Sequence, residues 1–324
     1  MYRIPETDCE EREDAGACGK ILGGKRAKRV KAGDYLTDIQ ISKPDSKFVA
    51  LFRLSRPLNY AIAALGAFAG GYVSTHHLAY FLPQIILASA AAALATAGGN
   101  AVNDYFDLEI DRINKPRRPL PSGALSRDAA LSFAILAFGA ALALAIFVNW
   151  TCAAICAVNI ALLSIYNKYL KRRGLAGNIC VAYLVGSVFL FGGAAVGNFR
   201  LSGILAAMAA LSNFGREVIK DMEDVKGDVG KRTTLPMKIG IGNAGALAAF
   251  ATLAAVALSP TPYFLRNFNA VYMLCIVPAD ALFLYSLWLA LGKEQYAKAQ
   301  RMMKLAMLVA VAAFVIGRMG SSIY

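Results

Sequence analysis

Nine stretches of about 20 mainly apolar residues follow one another along the chain, at 49–73, 79–103, 128–148, 150–168, 176–197, 201–220, 240–259, 270–291 and 302–320. An α-helix rises about 1.5 Å per residue and the hydrocarbon of a bilayer is about 30 Å thick, so each stretch is long enough to cross it. Lipid offers no partner to a backbone N–H or C=O, and helices satisfy these groups internally. The expectation is an all-α membrane protein, nine transmembrane helices in a bundle over residues 48–324. Composition agrees: 57% of residues are hydrophobic and 17% charged, against about 25% charged in soluble domains. The six cysteines form no CxxC pair, and the two histidines, His76 and His77, are adjacent. Neither a disulfide framework nor a zinc site is expected.

Residues 1–47 are polar and carry the run Lys25-Arg26-Ala27-Lys28-Arg29-Val30-Lys31. They have no apolar core followed by a small-residue cleavage site, so they read as a basic, partly disordered cytoplasmic tail rather than a secretory signal. The net charge of +13 would suggest nucleic acid in a soluble protein. Across nine spans it is instead a statement of orientation, and no nucleic-acid partner is expected. All of the 34 Lys and Arg except Arg200, Arg266 and Arg318 fall on one side of a nine-span parsing. Basic residues concentrate in cytoplasmic loops. The expectation is a multi-pass protein of the cell membrane with its N-terminus and even-numbered helix ends in the cytoplasm.

The acids are more selective. Outside the tail, all but Asp280 and Glu294 lie in two cytoplasmic patches, residues 104–128 and 217–228. The first reads Asn103-Asp104-Tyr105-Phe106-Asp107-Leu108-Glu109-Ile110-Asp111. At about 100° per residue, Asn103, Asp107 and Asp111 share one helix face. The second reads Glu217-Val218-Ile219-Lys220-Asp221-Met222-Glu223-Asp224-Val225-Lys226-Gly227-Asp228. There Glu217, Asp221, Asp224 and Asp228 share a face, although Gly227 weakens a helix at that point. Two like charges about 6 Å apart repel by about 3 kcal/mol at an effective dielectric of 20, so a cleft holding both patches calls for cations. Oxygen donors without His or Cys suit Mg²⁺, which takes one or two carboxylates and completes its shell with phosphate oxygens. The cations that would grip such a phosphate are also present. Arg118 sits in the proline-stiffened loop Lys115-Pro116-Arg117-Arg118-Pro119-Leu120-Pro121, Tyr166 to Lys171 supply further donors, and Arg56 and Asn59 open the first helix.

These two acidic motifs, NDxxDxxxD at 103–111 and DxxDxxxD at 221–228, resemble those of the UbiA superfamily of intramembrane prenyltransferases, and the likeness covers about residues 49–320. The segments Arg118 to Gly123 and Tyr166 to Lys171 are also similar. The resemblance implies a bundle around a cavity open sideways to lipid, in which Mg²⁺ held by both motifs binds a prenyl diphosphate. It implies metal ligation by Asp107, Asp111, Asp224 and Asp228, with Asn103 and Asp221 next. Asp104, Arg118, Tyr166, Lys171, Arg56 and Asn59 would contact substrate. The stretch Gly215 to Asp224 is most similar to the archaeal ether-lipid branch, which implies a geranylgeranyl donor and a geranylgeranylglyceryl phosphate acceptor. An aromatic acceptor shares the same chemistry. A transporter of cations or phosphate esters would instead need ionisable groups near the bilayer midplane, where only Asp280 stands.

Overall fold

The structure is a computed structural model that describes residues 46–228 and 234–320. The basic tail therefore lies almost wholly outside the described residues. Twelve helices are found among them: α1 (Lys47–Ser55), α2 (Pro57–Ser74), α3 (Leu78–Asn114), α4 (Arg127–Val148), α5 (Trp150–Ile165), α6 (Leu175–Ala195), α7 (Arg200–Asp228), α8 (Leu235–Ile239), α9 (Ile241–Leu258), α10 (Thr261–Phe264), α11 (Ala270–Leu287) and α12 (Tyr296–Gly320). Short π-helical turns extend α5 over Tyr166–Leu170 and α11 over Trp288–Gly292.

Seven of these helices, with their extensions, are long and apolar enough to cross a membrane: α3, α4, α5, α6, α9, α11 and α12. The stretches expected at 49–73 and 201–220 are helical too, but fall short in composition. Asn59 and three glycines dilute α2, and Asn213, Arg216, Glu217, Lys220 and Asp221 interrupt α7. That dilution has a cause. α7 packs against α2, α6, α9 and α12, so its polar side chains face protein rather than lipid. Its helix also continues through Gly227 to Asp228.

The first stretch is not one helix. Pro57 takes the first position of α2, and the residue before a proline is kept out of the right-handed helical region. Arg56 leaves the helical region for a left-handed backbone, φ 53° and ψ 76°, and separates α1 from α2. At α1, α4, α5 and α11 a Ser or Asn side chain caps the helix start. Asn149 alone joins α4 to α5: its Oδ1 accepts from Cys152 N at 2.8 Å, and its Nδ2 donates to the Ala194 carbonyl at the end of α6.

Packing relies on small residues. Between α2, α3, α4, α5 and α6 the buried cluster is mostly alanine, with Ala67, Ala88, Ala91, Ala141 and Ala145 fully covered. Without a hydrophobic drive inside lipid, helices associate through close van der Waals approach, which small side chains permit. Where α2 crosses α6, a Cβ on Gly70 would strike the Phe189 carbonyl and one on Gly192 the Ala67 carbonyl. A second cluster, around Phe268, Tyr272 and Phe314, joins α11 to α12 at the opposite end from the acidic motifs.

Candidate active site

The break at Arg56 is also the start of the site. Its left-handed backbone turns the side chain toward α3, where Nη2 donates to Asn103 Oδ1 at 3.0 Å and to Asp104 Oδ1. Asn103 in turn donates from Nδ2 to Asn167 Oδ1 at 2.9 Å. Asn167 belongs to the π turn that ends α5. The wider turn, closed by Lys171 N to the Tyr166 carbonyl at 3.0 Å, shifts the register of the side chains that follow. Lys171, the residue after the turn, reaches Asp107 Oδ2. Single π turns inside α-helices often mark functional positions. Gly177 lets α6 lie against this turn, since a Cβ there would sit 2.8 Å from the Leu170 carbonyl.

The first acidic motif therefore divides between two sets of partners. Asn103 and Asp107 face Asn167 and Lys171 at the π-helical end of α5. Asp104 and Asp111, both buried, face the loop after α3, where Arg118 Nη1 donates to Asp104 Oδ1 at 3.0 Å and to Asp111 Oδ2. On α7, Asp221 is buried and accepts from Asn178 Nδ2 of α6 at 2.9 Å. Glu217 pairs with Arg216 and has Lys220 Nζ at 3.9 Å, while Arg216 Nε donates to Asn213 Oδ1 at 3.2 Å. Asp224 is half-buried. The side chain of Asp228 lies outside the described residues.

Between these helices lies a cavity of about 630 Å³. Its polar end is lined by Arg56, Asn59, Asn100, Asn103, Tyr166, Asn167, Glu217 and Lys220, and its other walls are apolar, from Ile62 and Ala63 to Val181, Leu184, Val185, Val188 and Phe189. Four residues expected from sequence, Arg56, Asn59, Asn103 and Tyr166, line it directly. Asp107 and Asp111 stand further along α3, and Asp221 and Asp224 further along α7, just past its polar end. Among the described residues Glu217 is the single acid in the lining. Ile62, Val185 and Phe189 also line a second chamber of about 290 Å³, almost wholly apolar, which runs between α2, α7 and α12 to Leu308 and Val311.

Asn100, Asn167, Asn178 and Lys220 carry parts of the site that the motifs alone do not reveal. Asn100, Asn167 and Asn178 are polar residues near the ends of apolar helices, a placement that marks them, whereas Lys220 lies within the second acidic patch. The suspected acid Asp280 lies away from the cavity. Ser259 Oγ donates to its Oδ2 at 2.7 Å, and Tyr272 OH donates to the Ser259 carbonyl at 2.6 Å.

The donor set fits a hard cation. Asn100 and Asn103 of α3 and Glu217 of α7 line one cavity with no His or Cys beside them, and among the described residues no three His, Cys, Asp or Glu gather into a ready cage. That is the arrangement expected where Mg²⁺ draws its remaining ligands from a phosphate-bearing substrate.

The chain is also similar to known proteins. The family model described as the UbiA prenyltransferase family matches residues 61–310. Digeranylgeranylglyceryl phosphate synthase of Halobacterium salinarum is 44% identical over 272 residues, 83% of this chain and 97% of that protein. A solved structure of digeranylgeranylglyceryl phosphate synthase superposes with a TM-score of 0.77 at 36% identity, covering 84% of this chain and 98% of the other. A UbiA homolog from Archaeoglobus fulgidus, bound to GPP and Mg²⁺, shares the fold with a TM-score of 0.60 at 16% identity, over 82% of this chain and 99% of its own. With both motifs at the ends of α3 and α7 and a cavity between them, the chain belongs to the UbiA prenyltransferase family.

Proposed function

We propose that this prenyltransferase moves a geranylgeranyl group from geranylgeranyl diphosphate to the hydroxyl of geranylgeranylglyceryl phosphate, in the synthesis of archaeal-type ether lipids. The observation that carries the reading is the cavity, whose polar end meets the two acidic motifs and whose walls are apolar. The relatives named above support the choice of acceptor, and both acceptor and donor are lipids that such a cavity would take from the membrane.

Asp107, Asp111, Asp224 and Asp228, with Asn103 and Asp221, would hold Mg²⁺. The ion when bound would neutralise charge on the departing diphosphate. The protein's own groups do the rest. Arg118 and Lys171 keep the acids in place, and each has further N–H donors for phosphate oxygens. Arg56 and Tyr166 add donors at the polar end, with Asp104 fixing the two arginines. The apolar walls take the isoprenoid chain and exclude water that would capture an allylic cation. The acceptor hydroxyl oxygen forms a bond to the allylic carbon as the bond to diphosphate breaks, and Glu217 accepts its proton. Lys220, beside it, suits the acceptor's phosphate.

The proposal places α2 and α7 among nine spans, with the acidic ends of α3 and α7 in the cytoplasm. The distribution of Lys and Arg supports it. It also has the apolar chamber open to lipid between α2 and α12. Ile62 and Leu308 support this, because each lines the chamber and is more than half exposed, at 52% and 62%. Radiolabelled geranylgeranyl diphosphate, incubated with the protein in nanodiscs and Mg²⁺ with or without EDTA, tests the whole reading. Geranylgeranylglyceryl phosphate should be alkylated and an aromatic acceptor left untouched. Product from the aromatic acceptor alone would overturn the assignment.

A further inference from the structure

A second polar cavity, of about 590 Å³, lies at the end of the bundle opposite the acidic motifs. Its lining includes His76, Tyr263, Arg266, Asn267, Asn269 and Arg318 and, among the described residues, no Asp or Glu. Basic residues are scarce at that end: the sequence assigns it only Arg200, Arg266 and Arg318. Two of those three converge on one cavity.

Arg318 is only 4% exposed, and its Nε donates to the Thr75 carbonyl at 3.0 Å, at the end of α2. Helix C-capping accounts for that contact. It does not account for Arg266, which is exposed and takes a left-handed backbone with φ 54°, or for the neighbouring Asn267, whose Nδ2 is buried without a hydrogen-bond partner. His76 is held below its ordinary pKa, by partial burial and then by the positive charge of Arg318 and of His77. The field in the cavity is thus positive, and its polar side chains are mainly donors. Arginine suits phosphate through its planar fork of N–H groups, and basic pockets between membrane helices suit lipid headgroups.

We propose that this far-end cavity binds a phosphate group, carried by a membrane lipid headgroup or as the free anion, through Arg266, Arg318, Asn267 and His76. The site is separate from the prenyl-transfer cavity and does not depend on the function assigned to it. Native mass spectrometry of the detergent-solubilised full chain with short-chain phosphatidic acid, and with the matching diacylglycerol, tests the idea. The wild type should retain one more phosphatidic acid than R266Q/H76Q, with affinity for that lipid falling at least tenfold. Both changed side chains are exposed, so the variant should melt like the wild type and keep its prenyl-transfer turnover. R266K should recover part of the binding. Displacement of the extra lipid by millimolar inorganic phosphate would identify the free anion as a sufficient ligand; resistance to it would identify the headgroup. Equal retention by wild type and variant, or an equal loss of diacylglycerol, would overturn the proposal.

Discussion

Arg118 joins Asp104 to Asp111. A single guanidinium nitrogen, Nη1, reaches a carboxylate oxygen on each of two acids that sit seven residues apart on α3. The arginine thereby fastens the loop after α3 onto the helix that carries the first motif, and both carboxylates are buried in the process. Removing one partner of a buried charged pair leaves the other without compensation, at a cost of about 3 kcal/mol or more. Arg118→Ala should therefore lower the melting temperature in detergent by several degrees as well as reduce activity. A double-mutant cycle with Asp104→Asn should show coupling. An unchanged melting temperature would mean that this contact is not structural.

In the proposed reaction Glu217, which pairs with Arg216 on α7, accepts the acceptor's proton. Glu217→Gln keeps the shape and hydrogen-bonding reach of the side chain but removes its basicity. Turnover should fall by about 10²-fold or more, the usual scale of general-base catalysis, while KM for both lipids changes little. An equal loss expressed in KM would make the residue a binding group instead.

Much of this was legible in the sequence because the membrane enforces it. A run of apolar residues near 20 long has few alternatives to a helix, and the ends of α4, α5, α6 and α9 fall close to the expected positions, whereas α3 runs on past residue 103 to Asn114 and carries the whole first motif. The acidic motifs stood out because carboxylates are otherwise so rare outside the tail. The break at Arg56-Pro57 is written in the proline, yet apolar content carries the eye across it. Asn167 and Asn178 were visible as polar residues near helix ends, but their partners were not legible. The π turn at Tyr166–Leu170 adds a residue to the helical register that no periodicity reports, and Asn178 meets Asp221 across 43 residues of chain. Such pairings exist only once α5, α6 and α7 are packed.

The crossing of α2 and α6 rests on bare backbone. Gly192→Leu would drive a side chain into the Ala67 carbonyl and push the two helices apart. Since Val185, Val188 and Phe189 of α6 form one wall of the cavity, both stability and activity should suffer. Thermal unfolding should occur well below that of the wild type, whereas Gly139→Leu, at a position with open space, should be tolerated.

Orientation follows from the charge distribution. Single cysteines placed at Lys115 and at His77, at opposite ends of α3, should react with an impermeant thiol reagent from opposite faces of the membrane, Lys115 from the cytoplasmic one. Labelling of both from the same face would contradict the nine-span arrangement.

In the proposed function the acidic ends of α3 and α7 act as one metal-diphosphate site. Asp107→Asn, Asp224→Asn and the double variant, assayed for prenyl transfer across a Mg²⁺ titration, test it most directly. Groups that act as a unit show grossly non-additive losses. Each single change should reduce turnover by about 10²-fold or more without unfolding the protein, raised Mg²⁺ should partly restore a single variant, and the double variant should be little worse than either. Single variants with full Mg²⁺-dependent activity, or mild losses that simply multiply, would show instead that the two motifs are independent surfaces.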